Sequence, residues 1–449
     1  MGHTTNDKRR LERTTTVEAR RRTLPSNSEK IKVLLMLPSF HEGGAQRMAL
    51  HLMKHLDRDL FDVRTGLLER SGHYMSSLSE ADLISPPAWL GRLIDVERGH
   101  TFGYTPGRFL LRTLLAPVGV YYDLRKAKPH VVITFMQGTS FAMVPAITLY
   151  GRRKVRWIAR EGNNTMASLD EEIANPTMRS FMGAVIRHCY NSADCVLTVS
   201  KDLGIALAER FSITREKVRW IFNAADLKGV QDVASHSRSV EPNSKRPYLI
   251  SIGRLEHQKG HDILLKAFAK TAARTSLDLV ILGTGSKLDE LQQLARELGI
   301  ESSVHFLGFR KNPWAYAADA EMFVLASRWE GFGNVMIEAM ACGLPVIVTN
   351  CDFGPREMFT NGENGIVVQN ENVDELAAAI DACHESEEFR EKLRKGGRKR
   401  AEDFDIRNVA REYGELIVEE ASKLASFAKS SGIDPIRNSA PQPHRDELP

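Results

Sequence analysis

At 449 residues and 50.3 kDa the chain exceeds one small domain, because single cores rarely grow past roughly 250–300 residues; two or three compact domains are expected. Its 42% hydrophobic and 26% charged residues exclude a disordered or fibrous chain. The formal charge of +4 lies wholly in the first thirty residues, where Lys8, Arg9, Arg10, Arg13, Arg20, Arg21, Arg22 and Lys30 face Asp7, Glu12, Glu18 and Glu29.

That arm, residues 1–30, lacks apolar periodicity and reads either as a solvated tail or as a basic segment leaning on anionic phospholipid or nucleic acid. Asn6 stands where an acylation pattern needs Ser or Thr. From Ile31 to Leu37 an apolar, partly β-branched run reads as a strand, followed by a glycine-bearing loop over 38–44. Ala45, Met48, Ala49, Leu52, Met53 and Leu56 then recur on one helical face. Buried strands are predicted at Val131–Phe135, Val155–Ala159 and Cys195–Val199, the pattern of a parallel sheet covered by helices. Residues 227–247 are polar with scattered Ser, Pro and Gly and read as a linker.

Beyond it the pattern restarts with strands at Tyr248–Ile252, Leu277–Leu282, His305–Leu307, Met322–Ala326 and Pro345–Val348. Helices are predicted at Asp262–Ala273, Lys287–Leu298 and Val335–Ala341. A helical run from residue 405 to about 428 precedes a Ser/Pro-rich tail over 429–449 that is expected to be disordered. The fold class is therefore α/β, with two doubly wound domains whose ligands are expected at the carboxyl ends of the strands, in a cleft between them. Five cysteines without paired spacing suggest neither a disulfide framework nor zinc, and fit a reducing cytoplasm. No secretory signal precedes Ile31 and no apolar run approaches the ~18 residues of a membrane span.

Chemistry concentrates in two loops. Trp329 to Gly343 places Glu330, Gly331, Phe332, Gly333, Asn334 and Val335 between a strand and a helix, with Asn334 as the expected N-cap and Glu338 one turn inside. Glycines let backbone approach a diphosphate, helix-start amides at Val335 and Met336 favour negative charge, and carboxylates match sugar or ribose hydroxyls. The same spacing also fits a capped helix with two solvated glutamates. In Gly253 to Gly260, Arg254 and Lys259 bracket a turn where two cations can neutralise a leaving diphosphate; they also read as ordinary surface charges. Gly43 and Gly44 form either a further phosphate-approaching loop or just a tight turn.

Other patterns carry less. Gly283-Thr284-Gly285 lacks the third glycine of a dinucleotide fingerprint, and Asp57-Arg58-Asp59 sits in a turn rather than a metal site. The basic, apolar stretch over 106–126, interrupted by Pro117 and Gly119, reads as either a headgroup-layer helix or a core helix.

In their order and spacing, four patches resemble the family 4 glycosyltransferases, retaining nucleotide-sugar enzymes with the two-domain GT-B fold. These are residues 43–47, Ser251 to Leu255 with Lys259-Gly260, Glu330 to Glu338, and Asn350 to Glu357 leading to Asn361–Gly365. The resemblance runs from Ile31 to about residue 420. It implies a Rossmann-like acceptor domain over 31–226, a linker over 227–247, a nucleotide-sugar donor domain over 248–404, and a helix over 405–428 crossing back.

By resemblance, Arg254 and Lys259 hold the donor diphosphate, Glu338 the ribose, and Glu330 the transferred sugar, while Gly43 and Gly44 close over the phosphates. Many relatives carry a cleft histidine where this chain reads Thr134-Phe135-Met136-Gln137. The next strand end, Ala159 to Asn164, is similar to a subgroup linked to polysaccharide or lipid-linked glycan assembly, which nominates Glu161 and Asn163 as acceptor or sugar contacts, a buried structural role being the other reading. No metal and no cofactor are expected. Partners would be a UDP- or GDP-sugar and a glycan or lipid-linked acceptor, with anionic membrane reached through the arm and no nucleic acid. The expected location is the cytoplasm, either free or peripheral on the inner face of the plasma membrane. A GT-B-fold epimerase and a non-catalytic nucleotide-sugar binder are the alternatives.

Overall fold

The computed structural model describes residues 30–41, 43–84, 106–236, 246–317 and 319–431. Most of the basic arm and the tail from 432 lie outside them. In chain order the elements are β1 (Ile31–Leu37), α1 (Gly44–His55), β2 (Phe61–Leu67), β3 (Leu83–Ile84), α2 (Pro106–Ala127), β4 (Val131–Phe135), α3 (Gln137–Tyr150), β5 (Arg156–Glu161), α4 (Thr165–Glu172), α5 (Pro176–Ser192), β6 (Cys195–Thr198), α6 (Lys201–Arg210), β7 (Val218–Trp220) and α7 (Leu227–His236). A second run follows with β8 (Tyr248–Ile252), α8 (His261–Lys270), β9 (Asp278–Leu282), α9 (Leu288–Glu297), β10 (Val304–Gly308), β11 (Ala320–Leu325), α10 (Asn334–Cys342), β12 (Val346–Thr349), α11 (Pro355–Met358), β13 (Ile366–Val368), α12 (Val373–Glu385), α13 (Glu387–Ala401) and α14 (Ile406–Ser431).

Two sheets result, ordered β3-β2-β1-β4-β5-β6-β7 and β10-β9-β8-β11-β12-β13. In the first, β1 pairs in parallel with β2 and β4, and β4 with β5. In the second, β8 pairs in parallel with β9 and β11. The inner strands β1 (IKVLLML), β4 (VVITF) and β8 (YLISI) are apolar on both faces because helices cover both, which is why they read as continuous runs rather than alternations. In the second sheet Leu249, Leu279, Ile281, Met322 and Val324 pack with Leu264, Phe268, Leu291 and Leu376 of the covering helices. Each such side chain contributes about 1.5–3 kcal/mol on burial. This is the α/β class read from the sequence.

The chain divides into two compact units. The first comprises the described residues up to Glu161, Ala184–Val196 and those from Ala410 onward; the second comprises Gly162–Gly183 and Leu197–Val409. The expected linker over 227–247 needs correction. Its first ten residues form α7, because Leu227, Val230 and Ala234 lie at helical spacing and Leu227 and Ala234 are buried, while 237–245 lie outside the described residues. The stretch over 106–126 is also not interrupted, since α2 runs through Pro117. Val120 and Leu124 bury its later turns against protein, which offsets the amide hydrogen bond that a proline lacks. For residues 115–127 the core reading therefore holds.

Candidate active site

In the second unit β8 ends at Ile252, and the chain turns through Gly253 and His257–Lys259 into α8. The turn closes at Gly260 with φ +61, where any β-carbon would collide with the Ala326 carbonyl. That closeness brings Lys259 beneath the end of β11. Its Nζ stands 2.5 Å from Oε1 of Glu330, and Ser327 Oγ donates to the same oxygen at 2.7 Å. The two charged side chains are only 14% and 6% exposed, so this is a nearly dry ion pair, and removing either partner strands a charge. Burial first, and then the charge of Glu330, push the adjacent Cys351 thiol up to about 12, so that wall of the site is neutral.

Arg254 is exposed, and its Nη2 donates to Gln258 Oε1 at 3.0 Å. Gln258 Nε2 in turn donates to the Trp329 carbonyl at 3.0 Å, so the two motif loops are stitched together. The glycines after β9 brace the same region. A β-carbon at Gly283 would strike the Gly253 carbonyl and one at Gly285 the Leu255 carbonyl, while Leu255 N donates to Thr284 O. The partial dinucleotide pattern is thus a backbone buttress for the Arg254 loop. Beneath that loop His261 is fully buried, and burial with the Lys259 charge pushes it down to about 4, leaving the imidazole neutral at physiological pH.

The Glu330–Gly333 loop is wedged on several sides. A β-carbon at Gly331 would strike the Gly162 carbonyl, and one at Gly354 would strike that of Phe332. The Phe332 ring stacks on Phe222 at 5.4 Å and meets Phe404 edge-on at 5.6 Å. With 1% exposure that ring anchors the loop, and Phe332 offers a ligand only its backbone. The expected cap at Asn334 is corrected. Gly333, in the left-handed region at φ +83, occupies the cap position and Asn334 starts the helix. Met336 N donates to Gly333 O at 3.0 Å, so of the two amides expected at an anion this one is engaged inside the turn. Glu338 is buried one turn on, where Trp314 Nε1 donates to its Oε2 at 2.9 Å.

The structure therefore brings together Arg254, Lys259, Glu330, Gly331, Phe332, Gly333, Asn334, Val335 and Glu338 in one unit, on the segments that follow the neighbouring strands β8 and β11. Asn163 belongs to the same unit, its Cα beside Gly331, and its Nδ2 donates to Ser168 Oγ at 3.3 Å. Glu161 belongs to the first unit, as do Gly43 and Gly44 at the start of α1. The Gln46 side-chain amide folds over Gly43, and Arg47 N donates to the Gly43 carbonyl at 3.1 Å. Sequence reading missed Ser327, Gln258, Trp314, Phe222 and Phe404. Asp57 Oδ1 accepts from Asp59 N at 2.9 Å, a turn as expected. Among the described residues no three His, Cys, Asp or Glu side chains gather to hold a metal ion, and no helix is long and apolar enough to cross a membrane.

With that geometry in hand, residues 42–228 match the profile of Glycosyltransferase Family 4, and residues 232–400 match that of Glycosyl transferases group 1. The chain belongs to the family 4 glycosyltransferases. Its fold is GT-B, like that of the Anabaena protein HepE in complex with UDP, with a TM-score of 0.68 and 20% identity over 87% of this chain and 100% of that one.

Two further likenesses come from sequence. A Campylobacter jejuni N-acetylgalactosamine-N,N'-diacetylbacillosaminyl-diphospho-undecaprenol 4-alpha-N-acetylgalactosaminyltransferase is 36% identical over 50% of this chain, and this chain spans 60% of its length. The Rhizobium meliloti lipopolysaccharide core biosynthesis glycosyltransferase LpsE is 29% identical over 79% of this chain and 90% of its own length. In this family 4 chain, then, the Lys259–Glu330 pair occupies the motif that defines the resemblance.

Proposed function

We propose that this chain is a retaining glycosyltransferase that moves a sugar from a nucleoside-diphosphate sugar, UDP- or GDP-linked, to a glycan or lipid-linked acceptor in cell-surface polysaccharide assembly. The observation that carries the reading is the Lys259–Glu330–Ser327 cluster, a cation and a carboxylate held together in a glycine-lined loop at a helix start. The Campylobacter and Rhizobium relatives, named for a diphospho-undecaprenol-linked glycan and a lipopolysaccharide core, support the acceptor class. The HepE structure with UDP supports a uridine donor first.

In this reading the diphosphate takes Lys259 and Arg254 as counter-charges, and Lys259 then shares its charge between Glu330 and phosphate. Glu338, oriented by Trp314, accepts from the ribose diol, and Glu330 accepts from hydroxyls of the transferred sugar. The bond from the anomeric carbon to the phosphate oxygen breaks, and the acceptor oxygen bonds to that carbon from the same face. The acceptor proton passes to the departing phosphate oxygen. Fixed cations stabilise charge that grows only in the transition state, which is the main catalytic effect and requires no divalent ion. Gly43 and Gly44 approach the phosphates, while Glu161 and Asn163 contact the acceptor or the transferred sugar. The enzyme works at the cytoplasmic face of the membrane, with the basic arm on anionic lipid.

The test is acceptor-dependent release of nucleoside diphosphate, with UDP-, GDP- and ADP-sugars compared and product stereochemistry read by NMR. Transfer with retained configuration, undiminished by chelator, is expected. Turnover of the donor alone to its epimer, or stabilisation by nucleotide sugar without any turnover, sinks the proposal.

A further inference from the structure

The first unit holds a cluster that the reading above leaves without a device. Strand β5 ends on two consecutive charged residues, Arg160 and Glu161, which are 2% and 3% exposed. Successive strand residues face opposite sides of a sheet, and the two are treated differently. Arg160 Nε donates to Tyr413 Oη at 2.8 Å, with the guanidinium over the Phe135 ring at 5.0 Å. On the other side Tyr190 of α5 donates its hydroxyl to Glu161 Oε2 at 2.5 Å. Tyr190 is itself 2% exposed, so its ring is held by packing. Neighbouring Cys189 is pushed up to about 12, by burial and then by the charge of Glu161, so its thiol is neutral.

A purely structural strand end would do as well with an apolar pair of similar volume, since keeping a carboxylate buried is costly. Glu161 is as buried as Glu330 and Glu338, and like them it closes the carboxyl end of an inner parallel strand or follows one, the edge at which doubly wound sheets bind ligands. Resting on the functional reading above, we infer that Tyr190 is a positioning residue. Its hydroxyl fixes one oxygen of Glu161 so that the carboxylate is presented, already oriented, to a hydroxyl of the sugar acceptor. No proton is transferred between the two; the tyrosine sets direction and the carboxylate accepts a hydrogen bond. The acceptor class this suits is a polyhydroxylated sugar end, since a carboxylate recognises hydroxyls by accepting from them.

The experiment uses the full chain and compares wild type with Tyr190→Phe, Glu161→Gln and the double variant. Five quantities are read: acceptor KM, kcat, donor KM, acceptor-independent donor hydrolysis, and melting temperature. Tyr190→Phe keeps the ring and deletes one hydroxyl, so kcat/KM for acceptor should fall about tenfold, as for one hydrogen bond to a charged group, with donor KM and donor hydrolysis unchanged. Glu161→Gln retains an oxygen for Tyr190 and should fold normally, yet lose at least as much acceptor kcat/KM. The double variant should be no worse than Glu161→Gln alone, because the tyrosine acts only through the carboxylate.

Wild-type acceptor kinetics in Tyr190→Phe or in Glu161→Gln, losses that multiply in the double variant, or losses that fall on donor KM overturn the inference alone. Absence of transfer by the wild-type chain overturns the functional reading, and the inference with it.

Discussion

Two sites of buried charge, one in each unit, are held in different ways. In the second, Lys259 and Glu330 neutralise each other at 2.5 Å; in the first, Arg160 and Glu161 stand side by side, each held by a tyrosine hydroxyl. An ion pair can be shared with an incoming anion, because a diphosphate offers the lysine the same charge that the glutamate does. The hydroxyl of a tyrosine clamp carries no charge for an anion to replace; what it supplies is direction. On the function proposed above, the difference suits a donor site that must accept and release a multiply charged group and an acceptor site that must aim at a neutral hydroxyl.

The largest expected effect tests the ion pair. Glu330→Ala should lower transfer by about a thousandfold, the loss typical of a preorganised transition-state contact, while UDP still raises the melting temperature. It should also lower urea stability by roughly 3 kcal/mol, because Lys259 is left buried and unpaired. An unaltered urea midpoint would mean that the pair is not desolvated. Gly260→Ala comes next. The new β-carbon meets the Ala326 carbonyl at a backbone angle that disfavours side chains, and the melting curve should report a cost of about 2–3 kcal/mol.

Tyr413→Phe probes the clamp and should cost only about 1.5 kcal/mol, since Arg160 keeps the Phe135 face; a loss as large as that of Glu330→Ala would erase the contrast. The smallest effect concerns Asp262 at the start of α8. Burial raises its pKa, but hydrogen bonds and charge from Arg328 outweigh that and hold it below the usual carboxylate range. A depressed folded pKa adds stability above the unfolded value of about 3.9 and loses it as pH falls through the lower folded value. The advantage of wild type over Asp262→Asn in urea, about 1 kcal/mol at neutral pH, should therefore shrink as the buffer is acidified below that unfolded value.

Strands β1, β4 and β8 could be read from the sequence because burial on both faces leaves an uninterrupted apolar run. Strand β2 could not, since Asp62 and Arg64 break its pattern and pair with each other at its surface. The motif loops around Arg254 and Glu330 announced themselves through glycine spacing. What the spacing could not disclose was contact across long separations: Lys259 to Glu330 spans 71 residues and Gln258 to Trp329 also 71. Asn334 was misplaced by one position because a glycine in the left-handed region can end a turn without any side-chain cap, and nothing in the letters distinguishes that glycine from its neighbours. Phe404 lies 72 positions from Phe332, so their shared cluster with Phe222 is a product of tertiary packing alone.

The crowding of main chain against main chain at Gly260, Gly283, Gly285, Gly331 and Gly354 has a practical corollary for altering which sugar the protein accepts. Those five positions are closed to mutagenesis in any library that aims to keep the protein intact. Diversity introduced at the exposed Thr284 or at the half-buried Asn334 varies side chains without touching that backbone packing, and screening effort belongs there.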